Sequence, residues 1–300
     1  MVAPSSSCSC IRRAGGAVEN CDGRIAHRVR GVRDASEVNR KRWDALAGRH
    51  GLGEDSYYDV PGFLAGGLAL NERETSEMAA AVGQVSGLDL VHLQCHFGLC
   101  TLSWARHGAR VTGVDFSPVA IERARRLAAE AGLTAEFVQA DVRDLPASLV
   151  GRFDVVFASY GVLVWISSVT AWMRSAASCL RPGGALVLID MHPLVQMTDG
   201  VQPLVVDFPY SGEEPQTFHS DVSYAIGGLD DSVAESVQYA HGLGEIVTAA
   251  AAAGLAVESL TEWFDERGDP RLVIGDDGRG RFPVGNQYLP TSYALRARRR

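Results

Sequence analysis

Three short stretches of this 300-residue chain carry groups suited to holding a nucleoside. The first is Leu93-Gln94-Cys95-His96-Phe97-Gly98, which follows an apolar run and leads into a helical pattern. A loop in that setting offers free backbone N–H groups and a helix N-terminus to whatever binds at the strand's carboxyl end. The second is Asp115, 17 residues beyond Gly98 and ending the next apolar run. A carboxylate there can accept both hydroxyls of a ribose. The third is Asp141-Val142, after another apolar run, where a carboxylate or the main chain can hold an adenine amino group. Three strand ends thus converge on one nucleoside.

Other residues are suited to a reacting partner. His192, followed by Pro193, lies just past the fifth strand of the pattern set out below, and a neutral imidazole there can take a proton from a hydroxyl, an amine or an acidic carbon. His241 opens a later helix and is as readily an ordinary helix-entry residue. Tyr160 and Trp165 follow the fourth strand and line either a substrate pocket or the core. Tyr57 and Tyr58 form either a lid or a surface aromatic pair. No covalent nucleophile is evident, and no metal is expected: Cys8, Cys10 and Cys21 match no four-ligand spacing, and Cys95, Cys100 and Cys179 fall in apolar segments.

The elements that must position these residues alternate strand and helix from Leu88 onward, the mark of a parallel sheet. Strands are expected at Leu88–Leu93, Arg110–Val114, Ala135–Gln139, Phe153–Ala158 and Ala185–Ile189. Helices are expected at Leu99–His107, from Ser117-Pro118 to Ala131, and at Val169–Leu180. A helix at Ser36–Ala47 precedes them, then an irregular stretch, then a helix opened by an Asn71…Glu74 capping box. Residues 191–240, rich in Pro, Asp, Gly and aromatics, break the period and read as an insertion covering the site. A helix (Leu243–Ala253) and two strands (Ala256–Phe264, Ser292–Arg298) close the chain. Residues 1–33 lack apolar periodicity and read as a disordered leader to one domain, 34–300.

The stretches His92–Gly98, Thr101–Ala105 and Val111–Ser117 together resemble the actinobacterial "LQCHFG" type of class I S-adenosylmethionine-dependent methyltransferases. The resemblance extends from about residue 36 to 300 through Asn39–Ala45, Tyr57–Asp59, Phe153–Gly161, Leu180–Gly184 and His241–Thr248. It implies a doubly wound α/β, Rossmann-like sheet of seven mostly parallel strands, with a cap inserted after strand five. It implies S-adenosylmethionine lying across Gln94, Gly98, Asp115, Phe116, Asp141, Val142 and Ser159, with His96 in the donor loop and Tyr58 as its lid. The chain departs from the D/E-x-G-x-G-x-G common to class I enzymes. His92 stands at the acidic position, Gln94 and His96 at the first two glycines, and Gly98 alone remains. The related subfamily shares the departure. Cys100 stands where those relatives usually carry Asp.

Composition narrows the partners. A net charge of −8 and a pI of about 5.5 argue against a sequence-independent grip on nucleic acid, and no N-P-P-Y-like tetrad follows the fourth strand. The longest apolar stretch, Val247–Val257, is too short to span a bilayer. The expected protein is cytoplasmic, a homodimer or a monomer, moving a methyl group to an O, N or C atom of a small molecule such as a secondary metabolite. Two other readings stand beside it. One is an S-adenosylmethionine-binding protein that transfers no methyl, acting as a non-redox catalyst or regulatory module. The other, an NAD-dependent oxidoreductase, is disfavoured by the missing glycines.

Overall fold

Alternation of side chains along the apolar runs sends residues to opposite faces of one sheet, and both faces are covered. The computed structural model describes residues 18–19, 25–27, 35–52, 57–201, 204–266 and 272–300. Its central sheet contains β1 (Asp89–Leu93), β2 (Arg110–Asp115), β3 (Glu136–Gln139), β4 (Phe153–Ser159), β5 (Leu180–Met191), β6 (Leu255–Trp263) and β7 (Ser292–Arg299). The spatial order is β6-β7-β5-β4-β1-β2-β3, with β7 antiparallel to both neighbours. Progression along the chain therefore reverses between β1 and β4. Open α/β sheets place ligands at the carboxyl ends of the strands at such a switch point.

The helices are α1 (Ala35–Arg49), α2 (Val60–Leu64), α3 (Glu72–Val82), α4 (Leu99–Arg106), α5 (Pro118–Glu130), α6 (Val169–Cys179), α7 (Pro193–Gln196) and α8 (Leu243–Ala252). Val91, Leu93, Val156 and Leu188 pack under α6 and α8. Leu90, Val155 and Val187 face the other way, onto Met78 of α3 and Trp104 of α4. The caps foreseen in the sequence are present. Asn71 and Glu74 bond reciprocally at the start of α3, and the Ser117 hydroxyl accepts from the Ala120 N–H ahead of α5.

The cap is the antiparallel pair Gly212–His219 and Glu235–Ala240, and α1 holds it. The Arg42 guanidinium donates to the carbonyls of Ser220, Val222, Val233 and Ala234, and the Asn39 amide exchanges two hydrogen bonds with the backbone of Val237. A cation can be buried at such a place because each carbonyl it meets stabilises the charge.

Three features depart from the sequence reading. The stretch taken as irregular contains α2, whose N-terminus Asp59 caps by accepting from the Gly62 N–H. Between β6 and β7 the described residues 272–291 form a second small unit with strands Val273–Ile274, Gly280–Val284 and Gln287–Leu289. Within the expected leader, Val18–Glu19 pairs with Ile25–His27, and Ile25–His27 pairs with the cap strand Gly212–His219. The rest of residues 1–33 lies outside the described residues. Among the described residues no helix is long and apolar enough to cross a membrane.

Candidate functional site

The loop after β1 keeps a glycine-loop backbone without two of its glycines. Gln94 and His96 have φ of 57° and 50°, and Gly98 has φ of 85°. The left-handed region is uncommon for residues with a Cβ, so each side chain must be held. The Gln94 amide donates to the Val162 carbonyl at 2.9 Å and accepts from the buried Trp172 indole N–H at 2.9 Å. The His96 Nε2 meets His50 Nδ1 at 3.1 Å, and the His96 ring packs against Trp43, Tyr58 and Phe97. Gly98 has a steric reason of its own. A Cβ there would lie 2.9 Å from Phe137 Cζ and 3.0 Å from Ala124 Cβ.

This loop orients Asp115. Its carboxylate ends β2, is 6% exposed, and accepts the N–H groups of His96 and Ser117, each at 2.9 Å. Burial pushes the carboxyl up to about 6, against the pull of those two bonds. A carboxylate has about four lone-pair sites, so two remain for a vicinal diol. Asp141 is more committed. Burial raises its carboxyl, but the Arg143 guanidinium, bonded to both oxygens, leaves it below the ordinary value. Arg143 also donates to Ser36 and Ser167, tying the end of β3 to the start of α1.

Above these strand ends lies one cavity of about 1670 Å³. Ligand pockets usually span about 300–1,000 Å³, so this space suits two molecules side by side. Its wall brings together Tyr58, Gln94, His96, Gly98, Asp115, Phe116, Asp141, Val142, Ser159 and Tyr160, and also Trp165. The Tyr58 hydroxyl meets that of Tyr224 from the cap, so the lid position is shared between two segments. Tyr160 has φ of 52°. Asp190, at the end of β5, accepts the N–H groups of Gly161 and Leu163 and fixes the turn that turns Tyr160 into the cavity.

Two expected catalytic residues are not brought to this cavity. His192 is 3% exposed. Its Nδ1 accepts from the Leu194 N–H as the N-cap of α7, and its Nε2 meets Glu262 at 2.8 Å. His241 is buried too, with Nε2 on the Ile166 carbonyl at 2.6 Å and Nδ1 beside Glu245. Both rings have their nitrogens engaged by local structure, and neither lines the cavity. The imidazole that does line the cap side is His219, whose Nε2 meets Asp231 at 2.9 Å.

Sequence reasoning also missed residues on the wall. Glu74, Asn71, Glu266 and Arg279 line it, and the Asn71 amide donates to the Tyr160 hydroxyl at 3.2 Å. Glu74 and Asn71 were visible as a capping box, and that structural role concealed their second position. Glu266 and Arg279 lie between β6 and β7, in a stretch that carries no motif.

Sheet order, loop and the acid at the end of β2 define a Rossmann-like methyltransferase fold, and residues 90–184 match the family model described as "Methyltransferase domain". Among curated relatives, the ubiquinone biosynthesis O-methyltransferase of Xanthomonas axonopodis pv. citri (strain 306) is 35% identical over 116 residues, 39% of this chain and 48% of that protein. The chain thus spans about half the length of the curated relatives it matches. Solved structures extend the likeness in fold over most of the chain. An S-adenosylmethionine-dependent methyltransferase from Mesorhizobium loti superposes with a TM-score of 0.52 at 22% identity, covering 79% of this chain and 100% of that one. A structure from work on the conversion of a disulfide bond into a thioacetal group during echinomycin biosynthesis gives 0.53 at 21% identity, covering 87% and 92%.

Proposed function

We propose that the chain is an S-adenosylmethionine-dependent methyltransferase of the "LQCHFG" type, acting on an O, N or C atom of a small organic molecule. The observation that carries this reading is Asp115: a buried carboxylate at the carboxyl end of β2, one strand from the switch point, aimed by loop backbone into a cavity with room for a second molecule. The donor set suits the cofactor. Asp115 faces a ribose, Phe116 and Val142 supply apolar walls for an adenine, and Asp141 accepts beside them. Gln94, Gly98 and Ser159 line the path from there towards β4.

When bound, S-adenosylmethionine supplies a methyl group already activated on a sulfonium. The protein's part is to hold an acceptor in line with it, and positioning of that kind contributes about 7–11 kcal/mol. The Tyr160 phenol is held protonated by burial and by the carboxylates of Glu266 and Glu74. It therefore orients an acceptor atom by hydrogen bonding rather than stripping a proton from it. Trp165, Phe208, Phe218 and Tyr239 give the remaining chamber an aromatic lining suited to a flat organic acceptor.

Calorimetry with S-adenosylhomocysteine tests the binding half of this reading, and transfer of label from methyl-labelled S-adenosylmethionine to a panel of small aromatic acceptors tests the chemistry. Asp115→Asn is expected to weaken S-adenosylhomocysteine at least tenfold, since a hydrogen bond to a charged group contributes about 1.5–3 kcal/mol. Absence of binding by the unaltered chain overturns the proposal. Tight binding with no labelled product on any acceptor favours the non-transferring alternative.

A further inference from the structure

We infer that Glu74 is the anionic seat for the α-ammonium group of the methyl donor, replacing the acid missing from the loop after β1. The inference rests on the donor reading above and assigns the part of the donor that the loop leaves unassigned. The position usually acidic is His92, whose ring lies 4% exposed with Nδ1 on the Thr101 hydroxyl at 2.8 Å. Burial depresses that imidazole to about 3, so it is neutral and brings no negative charge to the loop.

Glu74 stands where the charge is needed. With a ribose on Asp115 at the end of β2 and an adenine towards β3, the donor's amino-acid arm extends the other way, across β1 to β4. Ser159 is the last residue of β4, and its side chain and that of Glu74 lie on the same cavity wall. Glu74 is 3% exposed and lines the same cavity as Asp115.

Among the described residues no arginine or lysine pairs with Glu74. The cations on the cavity wall are engaged elsewhere: Arg42 by four carbonyls, Arg73 by Asp265 and Glu266, Arg143 by Asp141, and Arg279 by Asp265. One oxygen of Glu74 accepts the Asn71 N–H at 2.8 Å. Burial pushes the carboxyl up to about 7, the behaviour of a desolvated anion that lacks a counter-charge. A primary ammonium, with three donors and one positive charge, fits that vacancy.

The test titrates the full chain and Glu74→Gln with S-adenosylhomocysteine, S-adenosylmethionine and 5′-methylthioadenosine, the last of which lacks the amino-acid arm. Glutamine at this position keeps the capping box, so the variant should melt no lower than the parent. Expected is a loss of at least tenfold for S-adenosylhomocysteine and S-adenosylmethionine, with 5′-methylthioadenosine unchanged within about twofold. The unaltered chain gives a second reading that needs no variant: a deaminated S-adenosylhomocysteine should bind at least tenfold more weakly than the parent ligand. Equal losses for all three ligands mean that Glu74 only shapes the loop. A loss confined to S-adenosylmethionine means that it faces the sulfonium. Either result overturns the assignment. Binding that the substitution leaves unaltered removes this seat alone, whereas failure of the parent chain to bind any of the three removes the donor reading as well.

Discussion

Replacing Gln94 separates two opposing effects that the loop combines. Gln94→Ala removes the amide that serves the Val162 carbonyl and the Trp172 indole, and Trp172 is fully buried. A buried donor left without an acceptor costs about 1–3 kcal/mol, and the second bond contributes about 1 kcal/mol. Alanine keeps a Cβ at φ 57°, so the backbone strain remains. Gln94→Gly loses the same bonds but relieves left-handed strain of about 1–2 kcal/mol, offset by about 0.4–1 kcal/mol for the freer unfolded chain. The alanine variant is therefore expected to lose about 3 kcal/mol, and the glycine variant about 0.5–1 kcal/mol less. Urea denaturation followed by fluorescence measures the gap directly, provided both variants share one m value. A glycine variant equal to or less stable than the alanine variant would refute the claim that this loop preserves a glycine conformation under two larger side chains.

In the ligand-free protein the contribution of Asp115 and Glu74 to stability should fall as pH rises from about 4 to about 7, against the opposite trend from the buried neutral His92. Asp115 and Glu74 are both raised above their unfolded values, so the folded state holds its protons longer and becomes costlier once they leave. Across that window the urea midpoint of the parent should fall relative to that of Glu74→Gln, and parallel profiles would show that Glu74 does not titrate there. His192→Ala should cost about 1–3 kcal/mol through loss of the α7 cap and the Glu262 contact, with S-adenosylhomocysteine affinity and turnover unchanged. Normal melting combined with a turnover loss of about 100-fold or more would restore His192 as the base.

The parts of the fold written in local sequence were legible. The strands and helices expected between Leu88 and Ala253 appear, most within a few residues of their bounds though β5 starts at Leu180 rather than Ala185, because apolar period, Ser117-Pro118 and the Asn71…Glu74 box each act over one turn. Asp115 was legible for the same reason: a strand end fixes which edge of the sheet a residue occupies. Strand position does not fix where a ring points, and His192 shows the difference. Its backbone stands at the expected edge, while its ring turns to Glu262 on β6. Glu74 failed in the opposite way, since a helix-capping role fully accounted for its type and spacing. The partners of Arg42 lie about 180 residues away along the chain, and no local pattern announces them.

The anchoring of the cap bears on how such a protein can diversify. Residues 220–237 leave the sheet after β5 yet are fastened to α1, which in turn is bonded to α5 by Ser117 on Asp44 and Arg123 on the His50 carbonyl. The chamber roof and the amino-terminal helix are thus one mechanical part made from two distant stretches of gene. Transplanting the 191–240 segment alone into a sister scaffold would deliver a roof whose carbonyls have lost their guanidinium. New acceptor preferences should therefore arise by exchange of the two stretches together, or by changes at Phe208, Phe218 and Tyr239 that leave the fastening in place.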